Sequence, residues 1–398
     1  MRRTIKLHLT KNLFVATSII ISIAITTMHA AHGYFGIPVK GFFIACITLL
    51  ICTAFFYNNI KILPKYFYMS LLLILCGVVG SAVSQSSFQL IQCVTLAAVF
   101  ISVAINKRII CTNLCAKIII NLALVCLLCA LVGYVYAFSG GEPLFSVLNE
   151  ETALELPFYL TTFTNSVYGN TIRPAAFFDE PGALAMFSIM AAGVNEIYGG
   201  KKWMTILLIF LSSITFSLMA PIALLVFIII NHKFILKIEN IKYIFITIII
   251  SIITYLINKD AIDFLLVDRL KIVDGAISGD NRMTQVYTFF SNINSQIFVN
   301  GSHALGLENG GGGVANPFTI LYDSGFFVWI PYALLIFWLI YLSTKKGSNH
   351  QFPSLILALL LLQRPYIYSL YWSLFIAYYI IFLIERNSLC CPGVNSRK

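Results

Sequence analysis

The chain has 398 residues, of which 59% are hydrophobic and 11% are charged, and its formal net charge is +10. Soluble domains carry about 25% charged residues, so the composition excludes an ordinary soluble domain. It predicts an all-α polytopic integral membrane protein in which the whole chain forms a single membrane domain. A positive net charge is also common in nucleic-acid-binding proteins, but the distribution of the charge indicates another cause.

Apolar runs follow one another along the chain, and we count about twelve spans, of which the first five have roughly the ~17–25 residues needed to cross the hydrocarbon core. The first follows a basic N-terminus and is long for a signal peptide, so we interpret it as a span. The run 203–230 is interrupted near Ser217 and Pro221, and positive charge at both of its ends favours two short helices. The predicted spans are 13–31, 41–57, 67–83, 88–105, 118–138, 182–198, two within 203–230, 243–257, 318–343, 353–362 and 366–384.

Lysine and arginine are distributed unevenly between the two sides that these spans define. Segments on the side of the N-terminus hold 19 of the 26 basic residues. Such an excess marks the cytoplasmic side, so both termini are predicted to be cytoplasmic. The basic charge then faces anionic lipid headgroups, and nucleic acid is not needed to explain it. The remaining seven are Lys40, Arg173, Lys259, Arg269, Lys271, Arg282 and Arg364.

Two long segments, about 139–181 and 258–317, are predicted to lie outside the cytoplasm. They hold 12 of the 16 acidic residues and none of the ten cysteines. The sequence shows no disulfide framework and no Cys-x-x-Cys metal site with partners, so no metal site is expected. The chemistry is predicted to lie in these two segments.

The stretch 168–187, YGNTIRPAAFFDEPGALAMF, concentrates charge at a span boundary. Charged groups at such a position need water, a partner or a substrate to stay ionised. An alternative is a solvated loop end in which Pro181 begins the next helix and Asp179 or Glu180 caps it. That alternative leaves Arg173 and the pair Phe177–Phe178 without a role.

The second outer segment contains two further features. Arg282 heads a predicted amphipathic helix, DNRMTQVYTFFSNI, whose apolar residues repeat at helical spacing. A glycine-rich stretch, GSHALGLENGGGGVANP, follows before the tenth span. It lacks the preceding strand and the Lys-Ser/Thr of a phosphate loop, so a flexible hinge is the better interpretation.

Together these stretches resemble the O-antigen polymerase and O-antigen ligase superfamily of bacterial inner membranes. TIRPAAFFDEPGALAMF resembles the family's Arg, aromatic and Glu-Pro-small pattern at the start of a span. DNRMTQVYTFFSNI resembles its Arg-headed periplasmic helix, and GLENGGGGVANPFTILYDSGFFVWIPYALL resembles its Gly-rich, Asn-containing late-span motif. The resemblance covers residues 168–334 together with the spacing of the spans. It implies a periplasmic position for the two outer segments and an inner-membrane location.

Two departures from the family pattern weaken the ligase interpretation and are compatible with a polymerase. Ligases of the family, and many of its polymerases, carry a His before the Asn of the late-span motif, where this chain has Ala315 before Asn316. Ligases also tend to have an Arg soon after the Ser of the seventh–eighth hairpin, where this chain has Leu218 and Met219.

The resemblance therefore implies polymerisation of oligosaccharide repeat units carried on undecaprenyl diphosphate, with no cofactor. The implied partners are that lipid-linked glycan, membrane lipids and a chain-length regulator protein. Arg presents a planar, always charged fork to phosphate oxygens. We therefore assign the diphosphate first to Arg173 and Arg282, and as second choices to Arg269 and Lys271.

The acceptor hydroxyl also needs a base. The candidates are, in falling order, Asp179, Glu180 and His303, the last of which is about as readily explained as a surface residue without a role. Asn316 belongs to the late-span motif. Asp323, interpreted as a carboxylate inside the tenth span, pairs with an arginine or lines the site. Tyr159, Tyr168 and Phe177–Phe178 are candidates for stacking on sugars, although aromatic belts at membrane interfaces are a commoner cause of such residues.

The main alternative of another class is a transporter, such as a lipid-linked-sugar flippase, since twelve spans suit a carrier. Carriers place charges within their spans and often show internal repeats. Here the spans are nearly free of charge, the two long segments fall on one side, and no repeat is found. The pattern favours an enzyme at the outer surface.

Overall fold

A computed structural model describes residues 2–28, 30, 34, 39–56, 63–148, 154–168, 171–235, 272–273, 276–277, 290–291, 293–307, 317–345 and 350–389. Helices dominate these residues. In chain order they are α1 (Arg2–Thr27), α2 (Val39–Phe56), α3 (Pro64–Ser84), α4 (Phe88–Ile105), α5 (Lys107–Ile110), α6 (Asn113–Phe138), α7 (Pro181–Tyr198), α8 (Lys202–Ser212), α9 (Met219–Ile230), α10 (His232–Ile235), α11 (Ser295–Asn300), α12 (Thr319–Ser324), α13 (Phe326–Thr344), α14 (Gln351–Gln363) and α15 (Ser373–Leu389).

The prediction of a helical, membrane-embedded protein is confirmed at this level. Within the described residues four helices, α3, α4, α6 and α13, are long and apolar enough to cross a membrane. The predicted span 88–105 coincides with α4, and the spans 67–83 and 118–138 lie within α3 and α6. The predicted span 243–257 and most of the segment 258–317 lie outside the described residues. The total of twelve spans therefore stays a prediction.

Helix α7 lies at the centre of the bundle. Almost every one of its residues is buried, and it packs against α6, α8, α9, α14 and α15. Its sequence, PGALAMFSIMAAGV before the final turn, is rich in small side chains. Small residues let helix backbones approach closely where lipid supplies no hydrophobic driving force. The start of α7 at Glu180–Pro181 marks the end of the bundle that we call the outer end.

Helices α8 and α9 confirm the prediction that the run 203–230 forms two helices. They have 11 and 12 residues, so each spans about 17 Å at 1.5 Å per residue. That is well short of the ~30 Å hydrocarbon core. Lys202 at the start of α8 donates a hydrogen bond to Asn231 just after α9, so the pair returns to the side from which it entered. Its tip is the 3₁₀ turn Ser213–Thr215 followed by Phe216, whose φ is +52°.

The predicted spans 318–343 and 366–384 are interrupted near their outer ends, which the sequence interpretation did not foresee. Gly325 separates α12 from α13 with a φ of +81°. The backbone approaches that of Gly301 so closely there that a Cβ on Gly325 would lie 2.9 Å from Gly301 N. In the second case Pro365 follows α14, a 3₁₀ turn spans Tyr366–Tyr368, and α15 begins only at Ser373. Proline cannot donate the backbone hydrogen bond that a helix needs.

The first outer segment is folded, not a bare loop. Strands β1 (Phe145–Leu148), β2 (Glu155–Tyr159) and β3 (Thr162–Phe163) form an antiparallel sheet in the order β1-β2-β3. Strands β4 (Val167–Tyr168) and β5 (Thr171–Ile172) form a second antiparallel pair. Within the other outer segment, β6 (Ile272–Val273) pairs with β7 (Ala276–Ile277). Both sheets of this segment pack against α6, where Tyr159 of β2 and Ile172 of β5 cluster with Ala137.

Candidate functional site

Residues 173–180 form a buried segment that leads into α7. The hydroxyl of Thr162 accepts hydrogen bonds from the N–H groups of Ala175 and Ala176, at 3.1 and 2.7 Å. Phe163 N–H donates to Ala176 O at 2.7 Å, and Ala176 has a φ of +51°. The small sheet thus holds this segment against the bundle. The interpretation of a solvated loop end does not fit it.

The aromatic residues of this segment are packing groups. Phe178 is fully buried, and its ring lies 5.4 Å from that of Phe187 and 6.3 Å from that of Trp372. Tyr159 is also buried, at 7% exposure. The prediction that Phe178 and Tyr159 stack on sugars is therefore wrong, because both rings are enclosed by protein.

Arg173 binds the tip of the α8–α9 hairpin. Its Nε donates to Thr215 O at 3.2 Å and its Nη2 donates to Phe216 O at 3.3 Å. Its own backbone is held by the small sheet, since Thr164 Oγ1 donates to Arg173 O at 2.7 Å. Carbonyls at the end of a helix carry partial negative charge, and a cation stabilises them. Arg173 therefore joins three elements: the sheet, the segment that enters α7 and the hairpin tip.

Glu180 pairs with an arginine that the sequence interpretation placed outside the cytoplasm but gave no role. Arg364 Nη1 contacts Glu180 Oε1, and the side chains are 14% and 28% exposed. Arg364 also donates to the hydroxyl of Tyr366 at 2.9 Å. Glu180 occupies the N-cap position of α7, but its side chain makes no capping hydrogen bond. The capping alternative for Glu180 is therefore replaced by an ion pair.

Gly182 makes room for this pair. A Cβ on Gly182 would lie 3.1 Å from Arg364 Cζ and closer still to its Nη2. The guanidinium thus rests on the first turn of α7, next to Glu180. Asp179 precedes Glu180, and its Oδ1 atom is buried. Arg173, Asp179, Glu180 and Arg364 all belong to the outer end of the bundle.

His303 and Asp323 form a second group, beside α3 and α4. His303 N–H donates to the backbone oxygen of Asp323 at 3.2 Å, and the exposed imidazole lies 4.9 Å from the ring of Phe88. This region is fixed by Gln89, whose Nε2 donates to Asn300 O at 2.6 Å. The two predicted site residues are therefore neighbours, joined through their backbones.

Asp323 lies just before α13, the helix long enough to cross a membrane, and not within it. It belongs to the short helix α12, which Gly325 separates from the membrane-crossing helix α13. Burial raises the pKa of its carboxyl to about 7. Within the described residues no ion pair joins Asp323 to an arginine, so the predicted pairing is not found there.

Four predicted site residues, Arg269, Lys271, Arg282 and Asn316, lie outside the described residues. Among the described ones, no group of three or more His, Cys, Asp and Glu side chains could hold a metal ion. Arg364 was missed because its partner is far away in the sequence. One signal was present, because Arg364 is the sole Lys, Arg, Asp or Glu between Lys346 and Glu385.

Comparison of the chain with known proteins gives no match to a protein-family model, to a curated protein or to a solved structure. A functional assignment therefore depends on the residues and geometry described above.

Proposed function

We propose that the protein polymerises oligosaccharide repeat units carried on undecaprenyl diphosphate, at the periplasmic face of a bacterial inner membrane. The observation that carries the proposal is the ion pair of Arg364 and Glu180 at the start of α7, the helix entered by the segment that holds Arg173. The motif order noted in the sequence supports the same class. Membrane-embedded helices supply a surface at which a lipid-linked substrate is available.

The reaction needs little beyond positioned charges. The acceptor hydroxyl attacks the anomeric carbon of the donor glycan, the bond from that carbon to the diphosphate oxygen breaks, and undecaprenyl diphosphate leaves with the bonding electrons. The proton of the hydroxyl passes to a base. Because the leaving group is already activated, the protein must mainly hold the diphosphate charge and orient the acceptor.

The arginines have distinct parts in this proposal. Arg364 lies with Glu180 at a helix start, where the N-terminal end of α7 also favours an anion. Guanidinium groups bind phosphate oxygens in bidentate geometry. We assign the diphosphate to Arg364 and Arg173, with Arg282 and Arg269 as further cations. Asp179 and Glu180 are the candidate bases beside them, while His303, Asn316 and Asp323 belong to the acceptor side.

A transporter is the second candidate, because one structural feature favours it. The α8–α9 hairpin is made of two half-length helices, and secondary transporters build their sites from discontinuous helices of this kind. The charges at the outer end favour the polymerase, because a carrier needs access to its site from both sides.

Deletion of the gene in its host tests the proposal. The polymerase is expected to leave surface glycan capped by a single repeat unit, because transfer to the final acceptor continues. Long lipid-linked polymer that stays unattached would identify a ligase, and repeat units held at the cytoplasmic face would identify a flippase. Purified protein in liposomes should also convert a lipid-diphosphate-linked repeat unit into a ladder of longer glycans.

A further inference from the structure

The turn at residues 159–162 between β2 and β3 descends along the side of α6. Thr161 Oγ1 donates a hydrogen bond to Cys129 O at 2.6 Å. Cys129 precedes the last residue of the helix, Phe138, by nine positions, which corresponds to about 13 Å at 1.5 Å per residue. Gly133 lies between these levels, and a Cβ there would approach Tyr159 O to 2.7 Å. The turn therefore lies well below the end of α6.

The end of α6 coincides with the edge of its apolar run. The helix has 26 residues, and the apolar part that follows Lys117 runs from 118 to 138. These 21 residues span about 31 Å, close to the ~30 Å hydrocarbon core. The side chains of Val125, Leu128 and Val132 are exposed on the helix, as expected of a lipid-facing stripe. The level of Cys129 is therefore inside the membrane.

The α8–α9 hairpin reaches a similar level from the opposite side. Its tip residue Phe216 lies with its ring 6.1 Å from that of Tyr134, which is four residues, or about 6 Å, below Phe138. Ser213 in the same tip is exposed. Arg173 binds the carbonyls of this tip, which places a charged group at the same depth. Charged and polar groups at such depth face water or protein partners.

The backbone at Leu160 indicates whether lipid or water surrounds the β2–β3 turn. Leu160 is 44% exposed and has a φ of +54°. Among the hydrogen bonds of the described residues, none involves the N–H or C=O of Leu160. Irregular backbone does not occur in contact with lipid in the hydrocarbon region, because each unpaired group costs several kcal/mol there. It is tolerated where it is enclosed by protein or lines a water-filled cavity, and Leu160 is not enclosed.

We propose that a water-filled cleft descends into the outer half of the membrane beside α6, with the turn 159–162 and the tip 213–218 as its two re-entrant walls. The cleft would admit an anionic headgroup below the membrane surface to the level of Arg173. This use of the cleft rests on the proposed function, whereas its hydration does not.

Cysteine labelling in lipid nanodiscs tests the cleft. The variants are Leu160→Cys at the turn, Leu128→Cys on the lipid-facing stripe at the same depth, and Glu155→Cys in β2 as the water-exposed reference. Each is treated with a charged methanethiosulfonate reagent, and site-resolved mass spectrometry separates the new thiol from the native ones. Only the thiolate form of a cysteine reacts with this reagent. Removal of a thiol from water raises its pKa by up to 3–5 units, which lowers the thiolate fraction and slows labelling.

We expect Leu160→Cys to react at a rate similar to that of Glu155→Cys. Leu128→Cys should react about 1000-fold more slowly, as a three-unit rise in pKa implies. A slow reaction at position 160, equal to that at 128, would mean that the turn contacts lipid and would overturn the proposal. Fast reaction at both positions would mean that α6 does not border lipid at this depth, which also overturns it.

Amide hydrogen exchange of the protein without any substitution gives a second measurement. Misfolding of a cysteine variant cannot affect its result. The amide of Leu160 should exchange within seconds in nanodiscs, since it lacks a hydrogen-bond acceptor and contacts water. Protection over hours would overturn the cleft. Because neither measurement reads glycan transfer, failure of the cleft and failure of the proposed function are distinguishable.

Discussion

Two ion pairs at opposite ends of the bundle show how similar charges serve different purposes. At the end away from the start of α7, Lys65 Nζ lies 2.6 Å from Glu385 Oε1, and the hydroxyl of Tyr66 donates to the same oxygen at 2.6 Å. All three residues belong to regular helices, α3 and α15. Their contact joins two helices that are far apart in sequence.

The pair at the outer end joins helix ends instead. Glu180 is the N-cap residue of α7 and Arg364 is the C-cap residue of α14. The backbone around the outer end is irregular at the hairpin tip and between α14 and α15. Irregular backbone leaves polar groups that need partners, so charges there hold non-helical segments in place. We therefore expect the outer pair to be functional and the other pair to be structural.

The largest expected effect is that of Arg364→Ala. It leaves a Glu180 carboxylate that is 28% exposed without its cation, and removal of one partner of a buried pair costs about 3 kcal/mol or more. We expect a lower melting temperature in detergent and no glycan polymer. The double variant Glu180→Gln with Arg364→Gln removes both charges and should regain most of the stability without regaining polymer. Normal polymer in this double variant would show that the outer pair is only structural.

The second effect is that of Arg173→Ala, which removes the donors to Thr215 O and Phe216 O. Loss of these charge-assisted hydrogen bonds should cost about 2 kcal/mol, and polymer should be absent. Arg173→Lys keeps the charge but loses the planar fork, so it should retain part of the activity. Protein abundance in the membrane is measured in parallel. Normal chain length at normal abundance in the alanine variant would exclude Arg173 from the site.

Asp323→Asn is expected to raise stability at alkaline pH, whereas the two arginine variants lower it, and the effect is smaller. The pKa of Asp323 is raised by burial to about 7, against about 4 in an unfolded chain. Between these values the folded protein keeps a proton that the unfolded chain has released, so stability falls as pH rises through this window. Asparagine resembles the neutral acid and removes this loss. At pH 8 the variant should therefore have a free energy of unfolding about 1–2 kcal/mol above that of the parent, after allowance for partial exposure, and it should melt at a higher temperature.

At pH 4 the two proteins should melt alike, because the acid is then largely protonated in the folded state. A gain of equal size at both pH values would mean that the substitution acts through packing and not through the charge. Glycan synthesis by Asp323→Asn, measured in the same preparations, shows separately whether this carboxyl takes part in the reaction.

The sequence was sufficient for features with a local pattern. Apolar runs predicted α3, α4 and α6 with nearly correct bounds, and Ser217 with Pro221 predicted the break between α8 and α9. Contacts between distant residues left no such pattern. Nothing near Glu180 indicates Arg364, and the burial of Phe178 depends on Trp372 from another part of the chain. The folded first outer segment was also missed, because strands of two to five residues are too short to show a period.

The smallest effect is expected at the other ion pair and completes the comparison. Lys65 is 39% exposed, and ion pairs with an exposed partner contribute about 0.2–1 kcal/mol because solvent and salt screen them. Tyr66 continues to donate to Glu385 when Lys65 is removed, so the carboxylate keeps a partner. Lys65→Ala should therefore lower the melting temperature slightly and leave the length distribution of the glycan unchanged. Arg364→Ala is expected to abolish polymer. If Lys65→Ala also abolishes polymer at normal protein abundance, the loss is not specific to the outer ion pair, and the assignment of that pair to the site is wrong.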